Sequence, residues 1–487
     1  MTQTPLTQPT AVSTPLSRQE RLIICCVCLA AFTFQFEAFL INVALPSMAI
    51  ELVASSTEIS FAVLTYLLAT TITLVPAGKL GDRFGLRRTF LTGCGVAAIA
   101  TLLCGVSTSL LMLLLSRFLQ GLGIGMIVAN AYAIIPVWID KTHAGRGYGM
   151  LSLGAGLGMV AGLPVGGVLS YVLSWHWIFL ATAPFFAGLF WLAWKVLPRE
   201  HCQAGTEVKL DWLGLVTFAL MLSCAVLTLS LIAEIGWGSS AILSLLVITI
   251  FCVGLLLIRR NKPPYLFTPA IFKISGLIPG LCVLFIFSAA VGGLRFLLPF
   301  YLQLGCGLSV LMSSILLLTY PISFAPAGLW AGQLADRASS RRMVIYACVL
   351  VALLCSIFAC FFSQLGIWFF LVFILGFGFS NGMFFAPNNR FCMTYVPETL
   401  KSEASALLPV TLNMGTLIGV SVFETVFTIH IPDGVMLIQN YTSRSEDLLG
   451  FLNHGLTDAF ILAVFLLCAA ALLACLTYPS AMKTNNN

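Results

Sequence analysis

The sequence predicts an all-α integral membrane protein: two six-helix bundles with two further helices inserted between them, fourteen transmembrane helices in all. Three observations carry this. Of 487 residues, 59% are hydrophobic and 9% charged, against about 25% charged in a soluble protein; no soluble core of this size absorbs such an apolar excess. The chain falls into fourteen apolar runs, each close to the roughly 20 residues that a spanning helix needs. One loop motif also occurs twice, once in each half. This composition excludes a soluble enzyme, a nucleic-acid-binding protein, a secreted disulfide scaffold and a disordered chain. Nor do the runs alternate in polarity, as the strands of a membrane barrel would.

Taken in order, residues 1–21 are rich in Thr, Pro and Gln and read as a disordered cytoplasmic tail. The first bundle, 22–199, holds runs at 22–46, 57–79, 88–106, 109–129, 147–173 and 177–197. The first run is too long for a signal peptide and has no small-residue cleavage site, so it is expected to stay as a helix. Residues 200–274 hold the inserted pair, at 212–233 and 240–258. The second bundle, 275–478, holds runs at 275–303, 310–333, 343–362, 366–387, 404–429 and 456–478, and 479–487 is a second cytoplasmic tail. Orientation follows from the basic residues. With both termini in the cytoplasm, every one of the 24 Lys/Arg falls on an inner segment except Arg117 and Arg295, inside spans, and Arg444, outside. Such a chain belongs in the cytoplasmic membrane. Trp138, Trp175, Trp177, Trp237 and Trp368 sit near span ends and read as interfacial anchors.

The repeated motif is G-x-L-x-D-R-x-x-x-R-R. Gly78, Asp82, Arg83, Arg87 and Arg88, with Gly85 among them, follow the second run; Gly332, Asp336, Arg337, Arg341 and Arg342 follow the tenth. A duplication of six-helix units suits a carrier whose halves rock about a site at the midplane. Gly78 is expected to let the helix end pack closely. Asp82 can pair with helix N-termini and with arginines across the inner face, as a latch that opens when the halves tilt. A plain orientation signal explains Arg87 and Arg88 adequately, but not the Gly and Asp at fixed spacing in both loops.

On these residues the chain resembles the major facilitator superfamily, in its fourteen-helix drug:proton antiporter branch. The doubled loop is similar to that superfamily's signature after the second helix. Arg117, Gln120, Gly121 and Gly123 resemble its R-x-x-Q-G-x-G fourth-helix signature. Phe36-Glu37 through Asn42 to Pro46 resembles the branch's first-helix signature, with Glu37 where Asp is usual, and Ser174 to Phe179 resembles its outer turn before the sixth helix. In the fifth helix Gly154, Gly158, Gly162 and Gly166 recur every four residues, a small-residue stripe that permits close helix contact in lipid. With Pro164 and Gly167 this resembles the antiporter signature G-x-x-x-G-P-x-x-G-G, except that Leu163 holds the usual proline position and proline falls one residue later. Pro164 removes a backbone donor and is expected to bend the segment. The resemblance implies a proton-coupled exporter of drugs or other amphipathic compounds, with a dedicated metabolite or siderophore exporter as the alternative. It implies no cofactor, the proton-motive force as the drive, protons and a small molecule as partners alongside the lipid bilayer, and action as a monomer.

Ionisable groups inside a span are costly and mark function. Four stand out: Glu37, Arg117, Arg295 and Glu424. Desolvation disfavours the charged form of a carboxyl and a nearby cation restores it. Exposure alternating between two compartments can therefore switch Glu37, which has Asn42 nearby. By residue type alone a buried ion pair or a hydrogen-bonded neutral acid is an equal reading, and the resemblance implies a coupling or substrate-contact role. Gln120 shares a helix face with Arg117, and the resemblance implies a coupling role for them. The second half has only apolar residues from Leu371 to Gly376 at the corresponding place, which concentrates proton handling in the first. Arg295 and Glu424 both lie towards the outer ends of their spans, where they could pair with each other inside the second bundle or contact substrate directly. Two acids and two bases leave the interior formally neutral, so the sequence does not demand a cationic substrate. Phe369, Phe370, Phe373, Phe377, Phe384 and Phe385 crowd the twelfth helix, lining a cavity or simply packing. The 16 cysteines read as small hydrophobes. Cys25, Cys26 and Cys28 do not converge and no metal site is expected. No phosphate-binding G-K-[ST] loop or catalytic triad is present, so an enzyme is not expected; a membrane scaffold or sensor that lost transport is the remaining class.

Overall fold

The computed structural model describes residues 16–140, 143–199, 211–335, 339–361, 367–397, 400–429 and 446–477. Fourteen helices among them are long and apolar enough to cross a membrane. In the first bundle these are α1 (Arg18–Glu51), α2 (Ser56–Phe84), α3 (Leu86–Gly105), α4 (Leu110–Trp138), α5 (Ala144–Val172) and α6 (His176–Val196). The inserted pair is α7 (Trp212–Ile235) and α8 (Ser240–Arg259). The second bundle has α9 (Leu277–Phe300), α10 (Val310–Ala335), α11 (Ser340–Phe361), α12 (Ile367–Thr394), α13 (Lys401–Thr428) and α14 (Glu446–Thr477). A π turn, Tyr301–Gly305, prolongs α9.

Local chemistry sets several boundaries. α1 starts at Arg18 and not at 22, because Ser17 and Glu20 form a capping box that supplies the first-turn N–H groups with acceptors. Residues 18–21 are therefore helix, where the sequence suggested tail. Ser55 and Glu58 start α2 in the same way. Between α2 and α3 the chain turns on Gly85 alone, at φ 97°, a conformation that side-chain-bearing residues resist.

The two bundles repeat one packing plan. In the first, α1 packs on α5, α2 and α3 on α4, and α3 on α6; in the second, α9 packs on α13, α10 and α11 on α12, and α11 on α14. The glycine stripe of α5 behaves as its spacing predicts. A Cβ at Gly154, Gly158, Gly162 or Gly166 would meet the carbonyl of Cys28, Phe32, Phe36 or Leu40 on α1, one turn after another. Gly415 and Gly419 of α13 meet Phe285 and Ala289 of α9 in the same manner. The bundles face each other through α5 against α10 and α2 against α13. α7 packs on α13 and α2, whereas α8 packs on α7 and buries only 11% of its apolar stretch. Its exposed Val247, Ile250 and Phe251 suit contact with lipid.

One expectation about aromatic residues changes. Trp175 is not an interfacial anchor: it is buried against Phe179, with the ring of His176 stacked on it. Trp177, Trp237 and Trp368 are exposed as anchors should be. On α12, Phe370, Phe373, Phe377 and Phe384 are buried packing residues and Phe369 is exposed, leaving Phe385 half-buried.

Candidate functional site

Inside the first bundle, α1, α2, α3 and α4 enclose a polar chain. The Arg117 guanidinium on α4 pairs with Glu37 Oε1 on α1 at 2.7 Å, both side chains being about 1% exposed. The same Nη1 donates to Gln120 Oε1 at 2.6 Å, and Nε donates to the Ala62 carbonyl of α2 at 3.0 Å. Gln120 Nε2 donates to Thr101 Oγ1 of α3 at 2.7 Å. The guanidinium carbon lies 4.1 Å from the Tyr66 ring centroid and 5.8 Å from that of Phe179, so π faces cover what the oxygens leave. Two polar atoms remain without a hydrogen-bond partner among the described residues: Glu37 Oε2 and the Tyr66 hydroxyl.

The glycines of the fourth-helix motif explain how α2 and α3 come this close to α4. A Cβ at Gly121 would press on the Tyr66 carbonyl of α2, and one at Gly123 on the Ala97 amide of α3. Arg117 and Gln120 supply the donors and acceptors, and Gly121 and Gly123 let the walls close around them.

The second bundle keeps the scaffold without the charges. Gly162 meets Phe36, the residue before Glu37; its counterpart Gly419 meets Ala289, the residue before Ala290. Likewise Gly121 meets Tyr66 and Gly378 meets Tyr320, and four residues before these glycines stand Arg117 and Ile374. Ala290 and Ile374, both buried, therefore occupy the places of the ion pair.

Arg295 and Glu424 do not pair with each other. The ion pairs among the described residues are Arg117–Glu37, His143–Glu20, His176–Glu51 and Arg259–Asp211. Glu424 Oε1 instead accepts from Thr57 Oγ1 of α2 at 2.6 Å, with both residues buried. Arg295 faces the opposite way, its guanidinium 5.1 Å from the Phe39 ring of α1 and beside the Tyr320 hydroxyl of α10. Asn42 is half-buried near that end of α1.

The Thr57–Glu424 bond belongs to a set that joins the bundles at the end where α2 begins. Gln303 Nε2 donates to the Val43 carbonyl at 2.8 Å, and Gly167 of α5 lies close against Ser314 of α10. At the other end the doubled loop is arranged within each bundle. Arg87 donates to the Trp194 carbonyl at the end of α6, and Arg341, its repeat counterpart, reaches Cys475 Sγ on α14 at 3.2 Å. Each ties the third helix of its bundle to the sixth. Asp82, Arg83 and Arg88 are exposed. Gly78 does not provide a close contact, since a Cβ there would meet open space. Asp336 and Arg337 lie outside the described residues, as does 430–445 of the segment expected on the outer side. Lys79 Nζ donates to the Tyr265 carbonyl at 2.6 Å and to that of Leu266 at 3.3 Å, holding α2 to the linker after α8. Pro164 lies within an uninterrupted α5.

Sequence reasoning named Glu37, Arg117 and Gln120 but missed Thr101, Tyr66 and the Ala62 carbonyl. It also missed Thr57 as the partner of Glu424 and the rings around Arg295. Threonine and tyrosine are ordinary in apolar helices, so only their placement marks them. Among the described residues no group of His, Cys, Asp and Glu could hold a metal ion.

Residues 27–420 match the family described as Major Facilitator Superfamily. A protein designated multidrug resistance protein MdtD, from Pectobacterium carotovorum, is 27% identical over 394 residues, covering 80% of this chain and 84% of the relative. The riboflavin transporter RibZ of Clostridioides difficile is 25% identical over 414 residues, covering 84% of this chain and 89% of its own. Among solved structures, a bacterial homologue of the human lysosomal transporter Spinster superposes with a TM-score of 0.64 at 15% identity, over 95% of this chain and 97% of that one. The nucleoside transporter NupG gives 0.64 at 12% identity, over 94% and 100%. At such identities these structures speak for the fold alone.

Proposed function

The chain belongs to the Major Facilitator Superfamily and is a multi-pass membrane transporter, not an enzyme; from that premise we propose that it is a proton-coupled secondary active transporter that exports drugs or other amphipathic small organic compounds by alternating access. The observation that carries this reading is the buried Glu37–Arg117 pair, with one carboxylate oxygen engaged at 2.7 Å and the other without a partner. Membrane interiors tolerate such groups at a cost that function has to justify.

The residues suggest how a proton does work here. With Glu37 ionised, its carboxylate holds the Arg117 guanidinium. A proton taken up at Oε2 removes the negative charge. Arg117 then keeps the Ala62 carbonyl, Gln120 and the Tyr66 face, and the bond between α1 and α4 weakens. Gln120 and Thr101 pass that change to α3. The basic residues support cytoplasmic termini in the cell membrane, which puts the doubled loop inside and the Thr57–Glu424 and Gln303–Val43 contacts outside. The arrangement is then joined on the outer side, with Asp82 and Arg88 exposed at the inner one. The proton-motive force is the drive, with no cofactor, and a monomer holds every part.

The relatives named for multidrug resistance support drugs as the substrate class. The riboflavin transporter among the relatives favours a second reading, a carrier of one dedicated metabolite. The coupling is tested in vesicles carrying the purified chain under an imposed pH gradient, with proton movement followed as candidate compounds are added. Glu37→Gln keeps the shape of the side chain and cannot ionise, so gradient-driven transport should vanish. Wild-type transport by this variant would refute the coupling role of Glu37.

A further inference from the structure

Of the four ionisable groups inside the spans, three are held across helices by an ion pair or side-chain hydrogen bond at 2.6–2.7 Å. Glu37 and Arg117 hold each other, and Glu424 holds Thr57. Arg295 differs. No carboxylate among the described residues lies within ion-pair distance of it. It is half-buried, with Phe39 under its guanidinium and the Tyr320 hydroxyl beside it. A guanidinium is always charged and offers five N–H donors in a planar fork. One hydroxyl and one π face leave most of that fork open.

Its position lies on the seam. Phe39 belongs to the first bundle, Arg295 and Tyr320 to the second, and the Phe39 and Tyr320 rings stack at 6.1 Å between centroids. From Tyr320 the rings continue: Phe324 at 5.9 Å, Phe385 at 6.1 Å from Phe324, and Phe287 at 6.0 Å from Phe385. Phe324 and Phe385 are half-buried. A cation thus stands at one end of an aromatic wall shared by four helices. The fold does not require that cation. Arg295 comes six residues after Ala289, and six residues after its counterpart Phe36 stands the neutral Asn42.

We propose that Arg295 and this wall form the substrate subsite, and that its occupant is an aromatic amphipathic anion, a compound with fused or linked rings and a carboxylate, sulfonate or phosphate. The acid group lies in the Arg295 fork, which matches two oxygens of one such group, and the rings stack along Tyr320, Phe324 and Phe385. The subsite rests on the transport reading above and narrows it to a substrate class.

The test uses two dyes with the same fused three-ring skeleton and opposite charge, fluorescein as the anion and rhodamine 123 as the cation. Each is titrated with the detergent-purified full chain, without any gradient, and binding is read by fluorescence anisotropy. Fluorescein should bind at least about tenfold more tightly than rhodamine 123, and Arg295→Gln should weaken fluorescein about ten- to a hundredfold, the scale of a lost charge-assisted hydrogen bond. Arg295→Lys and Tyr320→Phe, which keep the charge, should weaken it only severalfold, and they carry the test should Arg295→Gln fail to fold. Absence of fluorescein binding, equal or tighter rhodamine 123 binding, or fluorescein affinity unmoved by all three variants would overturn the assignment. Because no gradient is used, these outcomes leave proton coupling untouched, while loss of coupling in vesicles with dye selection intact would overturn only the coupling.

Discussion

Replacing Arg117 with isoleucine strands Glu37. Glu37 is fully buried, its Oε1 loses the partner at 2.7 Å, and its Oε2 has none to begin with. Gln120 Oε1 loses its nitrogen donor as well and keeps only the Cys104 thiol, 3.8 Å away. Removing one member of a buried pair typically costs about 3–5 kcal/mol, whereas replacing both by apolar groups is often neutral or stabilising. The protein itself holds the template for the second case, in Ala290 and Ile374 at the corresponding places. Arg117→Ile alone should therefore melt well below wild type, and Glu37→Ala/Arg117→Ile should regain most of the loss. The regain is limited by the cavity that alanine leaves, at about 24 cal/mol per Å³. Thermal unfolding of the detergent-solubilised protein, followed by tryptophan fluorescence, reads the series, and contact between the two sites predicts strong non-additivity. A single variant that melts with wild type, or a double variant whose loss equals the sum of its parts, would refute the reasoning that the pair is mutually dependent.

The close contact of α5 with α1 gives a paired test. Gly158→Val forces a Cβ against the Phe32 carbonyl, within 2.9 Å of the Phe36 amide, and should destabilise by about 1–3 kcal/mol or more; Gly156→Val, two residues away with open space at its Cβ, should express and melt like wild type. Equal behaviour of the two in a melting assay would contradict the stripe as the contact. Thr57→Val removes the bond to Glu424 between bundles. At about 1 kcal/mol for such a bond, the population separated at that end should rise about fivefold, read as spin-label distances between the start of α2 and the end of α13. An unchanged distance distribution would mean that the bond does not hold the end closed.

What the sequence made legible follows from what helical period and composition carry. Fourteen spans were readable because an apolar run has to satisfy its backbone internally and reach across about 30 Å. The α5 stripe was readable because a spacing of four stays on one face of a helix of 3.6 residues per turn. Glu37, Arg117 and Gln120 were readable because charge inside an apolar run is conspicuous. The partners were not. Depth along a span says nothing about which way a side chain points around it, and Arg295 with Glu424 shows the consequence. Both lie at similar depth, yet one faces α1 and α10 and the other faces α2. Gly78 failed for a related reason: a glycine at fixed spacing suggests close approach, but only the neighbouring helix decides whether anything approaches.

The polar chain around Glu37 lies inside one bundle, while Arg295 lies on the seam, and α1 joins them. Glu37 and Phe39 are two residues apart, about 200° around the helix. Glu37 therefore faces α4, and Phe39 faces Arg295. Between these faces, α1 rests on glycines of α5 that present backbone and no side chains. A smooth contact resists sliding less than interlocked side chains do, because no knob has to leave a hole. On the proposed reading, release of Arg117 by a proton on Glu37 removes a constraint on one side of α1, and the ring under Arg295 rides on the same rigid rod. The second bundle repeats the glycines at Gly415 and Gly419 but has Ala290 where the acid would stand. Its α9 carries Arg295 without an acid at the place of Glu37. On the proposed reading, duplication supplied two similar levers, and divergence gave the acid to one and the anion-binding arginine to the other.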